Sequence, residues 1–376
     1  MNAGLIVIIL LLVLSILGIP IYLALGIGTL VALNMADMPF IVLPQKLFAG
    51  MNSSSLLAIP FFMLAGNIMS RSITGKLIDV SNALIGWIKG SLAVVTILAS
   101  ALFGAISGSG VATASAVGGT TIPAMKEEGY PDHFAAAISG IAAILGPIIP
   151  PSITLIVYAS ITDLSVSKLF VGSVIPGILM AVGLIIYALF YGKKNDLPAH
   201  ERKSAKEVLL IFKDSIWALL MPVIILGGIF GGIFTPTESA AVAVVYALLV
   251  SLLIYKDIKI KDIPGIFVDG AISTATILML VGISKSSGYV ITTSGLPHQV
   301  LEVFSSFTNS TVVILLLLNI LFLVIGMLME ANAAIIMMTP ILLPLLDAFG
   351  IDPLQFGIMM SFNLCIGLVT PPVGIC

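Results

Sequence analysis

Charged side chains are scarce in this sequence: 9% of its 376 residues are Asp, Glu, Lys or Arg, against about 25% in soluble domains. That scarcity excludes an ordinary water-exposed globular surface. A net charge of −2 also removes the basic footprint that nucleic-acid binding requires, so no nucleic-acid partner is expected. Cysteine is nearly absent. Cys365 and Cys376 are the only two, both in or beside apolar sequence, which leaves neither a disulfide framework nor a thiolate metal site. Both read as packing residues. His133, His200 and His298 stand apart in polar connections and read as solvated side chains, not a proton relay. There is no phosphate-cradling glycine loop, no Ser-His-Asp arrangement and no metal-ligand spacing, and no nucleophile and base share helical spacing. The chain is therefore not expected to be an enzyme, and ATP-driven work would need another polypeptide. Finally, no lysine or arginine precedes Lys46. Without a basic leader, residues 3–33 are expected to be membrane helix retained in the mature protein.

What the sequence has in abundance is apolar length. Hydrophobic residues make up 59% of it, and its mean hydropathy is +1.21. Bilayer-length runs fall near 3–19, 21–33, 41–69, 91–125, 134–161, 169–191, 216–234, 239–255, 266–287, 311–346 and 356–376. The expected fold is an all-α polytopic membrane protein. Two of the runs are too long for one straight helix. Residues 91–125 contain Gly104, Gly108, Gly110, Gly118 and Gly119, and residues 311–346 contain Gly326, Glu330 and Asn332. Each reads as helix, irregular tip, helix. Two further runs contain the only adjacent prolines, in GPIIPP at 146–151 and GLVTPP at 367–372. A proline pair removes two backbone donors and clashes with carbonyls a turn earlier, so the helix must break there. Open backbone at membrane depth is tolerated only where protein or a cavity surrounds it.

Basic residues set the orientation, because positive charge near span ends is retained in the cytoplasm. Residues 193–214 hold Lys193, Lys194, Arg202, Lys203, Lys206 and Lys213, and are expected to be cytoplasmic. So are the connections carrying Arg71, Lys76 and Lys89, then Lys126, then Lys256, Lys259 and Lys261, whereas 34–39 and 292–310 lack lysine and arginine and are expected outside. With 91–125 as a hairpin returning to its own side, the amino terminus is expected outside.

The sequence also repeats. Gly66 matches Gly288 and Gly104 matches Gly326 at an offset of 222, while Gly146 matches Gly367 and Pro151 matches Pro372 at 221. Pro20 in LGIPIYLALGIG and Pro236 in FTPTESAAVAVV interrupt corresponding helix pairs. Matching connections have opposite charge character, the basic loop at 71–89 against the one at 292–310, which has no lysine or arginine. This is the mark of two inverted repeats, an argument for alternating access about a central site. The division expected is 1–192 for the first repeat, 193–214 for a basic cytoplasmic connection and 215–376 for the second. By the repeat, about forty further residues, the last helix, are expected to follow the second break.

The first tip, GAISGSGVATAS at 104–115, offers glycines and small hydroxyls without charge. Carbonyls at Ser107, Gly146, Ile149 and Pro151 could cluster around a sodium ion, with Gly326, Gly367, Thr370 and Val373 as the second set. Small residues also serve close helix packing, so the argument rests on tip and break converging in both halves. Glu238 reads as a helix-start residue with Thr235 or Thr237 as cap. Glu330 divides between ion or substrate contact and a hydrogen-bonded structural role.

GAISGSGVATASAVGGTTIPAM followed by GPIIPPS, together with FTPTESAAVAVV and GLVTPPVG, resembles the large membrane subunit of tripartite ATP-independent periplasmic (TRAP) transporters over essentially the whole chain. The resemblance implies sodium-driven uptake of an organic acid by an elevator-type moving domain in the bacterial inner membrane. It also implies a small four-helix membrane subunit and a periplasmic substrate-binding protein as partners. Carried over, the first sodium site comprises Ser107, Gly146, Ile149 and Pro151, and the second Gly326, Gly367, Thr370 and Val373. Substrate, a C4-dicarboxylate, a sialic acid or a similar carboxylate, is expected near Ser107, Ser109, Thr113 and Glu330. A single-component sodium/dicarboxylate carrier, and a membrane scaffold or sensor that kept a transporter fold, are the other readings.

Overall fold

The computed structural model describes residues 2–199, 202–371, 374 and 376. Among them every regular element is helical. Seven helices are long and apolar enough to cross a membrane, among them Val166–Lys194, Ala205–Phe230, Ile260–Thr293 and Thr311–Leu328. Shorter apolar helices include Ala3–Ile16, Ile21–Met35, Ser91–Ser107 and Pro353–Gly367. This is a multi-pass, all-α membrane protein. Ser91–Ser107 has 17 residues, a rise of about 25 Å, short of the ~30 Å hydrocarbon core. Its length suits one arm of a hairpin better than a complete crossing.

Two expected runs take a different course. Residues 41–69 are not one helix: Val42–Met51 ends at Asn52, with ψ at 66°, and Ala58–Ser72 begins after a short 3-10 turn at Ser54–Leu57. The cause is local, since Asn and Ser side chains compete with helix hydrogen bonds. In the other direction, the run at 266–287 extends to a helix of 31 residues, Ile263–Thr293.

The chain packs into two compact units, each drawing on both halves of the sequence repeat. One comprises 1–57, 154–169 and 272–373. In it Ala3–Ile16 packs along Ile21–Met35, with Gly28 facing the Val7 carbonyl. Buried Thr29 and Ser287 share a hydrogen bond of 2.6 Å. Tyr158 is fully buried, and its hydroxyl donates to the Pro353 carbonyl at 2.8 Å. Gly357 lies against that ring: a methyl there would sit 2.1 Å from Cε1. Phe322 and Phe356 meet edge to face at 5.6 Å between centroids.

The other unit comprises 58–153, 170–271 and 374–376. Its buried cluster runs through Val94, Ile97, Ile138, Ala142 and Leu145, and Phe134 stacks on Tyr191 at 3.8 Å. Four basic residues of the expected cytoplasmic connections pair with acids: Arg71 with Asp269 at 2.8 Å, Lys126 with Asp132 at 3.3 Å, Lys76 with Asp214 and Lys89 with Asp196. Lys89 holds the Asp196 carboxyl below its usual range by hydrogen bonding and charge. Exposed pairs of this kind contribute little to stability. Two helices start on capping boxes, Ser204 with Glu207 and Thr235 with Glu238. Of the two candidate caps before Glu238, Thr235 is the one used.

Adding one methyl at Gly357 should overpack a buried ring, costing about 1–3 kcal/mol. Gly357→Ala is expected to lower the thermal unfolding temperature of the purified protein. Most of that loss should vanish in a Tyr158→Ala background.

Candidate functional site

The first hairpin is closed by backbone the sequence could not supply without glycine. Ser91–Ser107 ends at Gly108, whose φ of 62° lies in the left-handed region, and whose N–H donates to the Gly104 carbonyl at 2.9 Å. Extended Ser109 then caps the next turn, Gly110–Thr113, its Oγ accepting from the Ala112 N–H at 3.3 Å. Thr113 Oγ1 donates to the Ser109 carbonyl at 2.8 Å and lies 3.4 Å from Ser107 Oγ. Ser107 and Thr113 are buried. A π-helical stretch, Ala114–Gly118, leads into the returning arm Gly119–Glu127.

The Gly-Pro-Pro break comes up against this tip. Helix Leu145–Ile148 stops at Ile149, where ψ is 129°, and helix resumes at Ile153–Thr162. The peptide between Pro150 and Pro151 is cis. Ser152 Oγ donates to the Pro147 carbonyl, and the Ile153 N–H donates to Gly108 O at 3.4 Å. Backbone meets backbone throughout. A methyl on Gly104 would lie 2.6 Å from Gly146 Cα, one on Gly108 2.5 Å from the Pro151 carbonyl oxygen, and one on Gly146 2.6 Å from Thr113 Oγ1. Ser107, Ser109, Thr113, Gly146 and Pro151 are thus brought together. Ile149 contributes its extended backbone, while its side chain faces Gly177.

The second half repeats the central contact with different trimmings. Thr311–Leu328 ends at extended Met329, and Glu330 caps the returning helix Ala331–Phe349. Glu330 accepts from the Ala333 N–H at 3.0 Å and from Asn332 Nδ2 at 2.7 Å. Both of its carboxylate oxygens therefore serve the start of that helix. Gly326 faces Gly367 as Gly104 faces Gly146: a methyl on Gly367 would lie 2.3 Å from the Gly326 carbonyl carbon. Thr370 is half-buried, and its hydroxyl donates back to Ile366 O at 2.8 Å. Val373 lies outside the described residues. The first set of site residues belongs to one compact unit; the second set and Glu330 belong to the other.

A polar link that the sequence did not announce joins the second break helix to the outgoing hairpin arm: Asn363 Nδ2 donates to Asn319 Oδ1 at 2.6 Å. Two amides within apolar helices were the available signal, since polar side chains in such helices commonly bond between helices. Chemically, the two assemblies offer hydroxyl oxygens and turned backbone, groups that suit ligation.

The sequence matches the family described as tripartite ATP-independent periplasmic transporter, DctM component, over residues 8–376. It is 43% identical over 362 residues to the Salmonella typhimurium protein YgiK, an alignment spanning 95% of this chain and 83% of that one. To the C4-dicarboxylate TRAP transporter large permease protein of Pseudomonas aeruginosa it is 41% identical over 331 residues, 88% of this chain and 78% of the relative. Similarity to the isethionate TRAP transporter permease protein DctMQ of Oleidesulfovibrio alaskensis is 38% identity over 361 residues, 95% of this chain but 57% of the longer relative.

If the glycine pairs are required by close backbone approach, Gly104→Ala and Gly367→Ala should each destabilise by about 1–3 kcal/mol. Gly75→Ala and Gly183→Ala, where an added methyl meets nothing within 4 Å, should be neutral or stabilising. Thermal unfolding of the four purified variants in one detergent checks this.

Proposed function

This chain belongs to the DctM-component family of tripartite ATP-independent periplasmic transporters, and from that premise we propose that it is the large subunit of a sodium-coupled importer for a small organic acid. The observation that carries the reading is the matched pairing of tip and break, Gly104 on Gly146 and Gly326 on Gly367. Broken helices occurring twice, in inverted order of charge, are how secondary transporters build ion sites inside a bilayer. A scaffold or sensor would have no need to keep both.

In this reading Ser107, Gly146, Ile149 and Pro151 hold one sodium ion. Gly326, Gly367, Thr370 and Val373 hold a second. Sodium takes the place of the tip's internal hydrogen bonds, with carbonyl and hydroxyl oxygens as ligands, and neutralises part of the charge of an arriving carboxylate. The acid sits by Ser107, Ser109 and Thr113, where hydroxyls donate to carboxylate oxygens. Glu330 orders the second tip through the Ala333 N–H and the Asn332 amide, beside the expected path of the acid. The inverted halves, 1–192 and 215–376 about the basic connection 193–214, exchange conformations in an elevator movement of the tip-bearing parts.

The partners are a small four-helix membrane subunit and a periplasmic binding protein that delivers the acid, and the location is the bacterial inner membrane. The relatives named for C4-dicarboxylate and isethionate support a small anion as cargo. The longer DctMQ relative, of which this chain matches 57%, supports a second membrane component working beside this one.

Uptake into proteoliposomes holding the chain with its small subunit and a substrate-loaded binding protein tests the proposal. Accumulation should require an inward sodium gradient. Thr370→Ala, which removes one hydroxyl ligand, should weaken apparent sodium affinity about tenfold, corresponding to ~1.4 kcal/mol. Undiminished uptake in the absence of sodium would overturn the coupling.

A further inference from the structure

Two lysines stand where an apolar helix pair crosses. Within the unit that contains both, the helices Val42–Met51 and Ile263–Thr293 approach through glycine: a methyl on Gly50 would lie 2.7 Å from Lys285 Cβ, and one on Gly282 3.1 Å from the Leu47 carbonyl oxygen. Ser286 Oγ fastens the crossing by donating to Leu43 O at 2.8 Å. So close an approach places Lys46 and Lys285 in the wall of one cavity of about 260 Å³. Lys46 Nζ lies 4.4 Å above the ring of Tyr289, one helical turn beyond Lys285 and on the same face.

The cavity is one-signed. Ser284, Thr292 and Pro340 also line it, and among the described residues no carboxylate does. None of the ion pairs among the described residues involves Lys46 or Lys285. Ser284 Oγ is buried and has no hydrogen-bond partner. Two ammonium groups and an unused hydroxyl, between low-dielectric helix walls, focus a positive potential into a space of small-molecule size. Ionisable residues within membrane helices mark substrate paths when they face a cavity.

Position along the helix adds direction. Lys285 lies eight residues before the end of Ile263–Thr293, a rise of about 12 Å. That end leads into 292–310, a connection without lysine or arginine, and Lys46 follows 34–39, another such connection. Retention of basic loops in the cytoplasm puts both connections, which lack lysine and arginine, outside, and so puts the two lysines toward the outer face. Pro340, on the returning arm of the second hairpin, forms part of the same wall.

We propose that this cavity is an anion vestibule, in which the Lys46 and Lys285 ammonium groups hold the carboxylate of the incoming acid before it reaches the hairpin tips. The proposal rests on the transport reading for the identity of its ligand. Its charge selectivity does not depend on that reading.

The full chain in lipid nanodiscs, carrying Thr292→Cys at an exposed position of the cavity wall, provides the test. The cavity cysteine is modified with an anionic thiosulfonate, the ethylsulfonate, or with a cationic one, the ethyltrimethylammonium. Rates are normalised to each reagent's reaction with free cysteine, and the parent chain supplies the background from Cys365 and Cys376. The anionic reagent should react about tenfold faster than the cationic one through electrostatic focusing. That preference should disappear in Lys46→Met/Lys285→Met and persist in Lys46→Arg/Lys285→Arg. At matched ionic strength, succinate, N-acetylneuraminate or isethionate should slow the labelling. Lysines that merely snorkel to the interface would give no such protection. The vestibule is overturned by absence of anionic preference, by a preference that survives the double methionine variant, or by protection from none of the three acids. Labelling needs neither sodium nor partner proteins. Sodium-independent uptake with anionic preference and protection intact would therefore sink the coupling and support the vestibule, whereas sodium-driven uptake without that preference would sink the vestibule alone.

Discussion

Glycine against glycine is the contact on which the rest of this structure depends. A broken helix exposes backbone that must be covered, and in a bilayer water cannot cover it. The protein covers each break with the turn of another helix, and only a residue without Cβ lets two main chains come that near. Gly104 against Gly146 and Gly326 against Gly367 are that solution used twice. Everything specialised at the tips, from the left-handed Gly108 to the hydroxyls of Ser107 and Thr113, is positioned from these two contacts.

Much of this is legible in the sequence. Proline pairs announce broken helices because their chemistry permits nothing else, and offsets of 222 and 221 tie each break to its tip. Helix starts are legible too, since the Thr-Pro-Thr-Glu stretch at 235–238 carries its own cap. What could not be read was how the polar atoms would be shared. Glu330 is a lone carboxylate in the sequence; in the fold its two oxygens are taken by the Ala333 N–H and the Asn332 amide. Lys46 and Lys285 are 239 positions apart, and only the crossing at Gly50 makes them neighbours. Such relations are set by tertiary packing, which a period or a propensity does not encode.

Compactness and repetition also divide the molecule differently. Repetition in the sequence follows chain order, with offsets of 222 and 221 between matched glycines and prolines. Compactness gathers the first hairpin and first break into one unit and the second hairpin and second break into the other. The glycines that meet, Gly104 with Gly146 and Gly326 with Gly367, therefore fall within a single unit in each case.

The Asn319–Asn363 hydrogen bond gives that symmetry an asymmetric edge. Asn319 stands seven residues before Gly326, and Asn363 four before Gly367; the corresponding first-half positions are Ile97 and Ala142, both in one buried apolar cluster. Apolar packing has no preferred direction, so the first joint tolerates a small slide of one helix on the other. A hydrogen bond of 2.6 Å between two side-chain amides permits no such slide without breaking. The two halves share an architecture and differ in mechanical character: the first joint is greased, and the second is keyed.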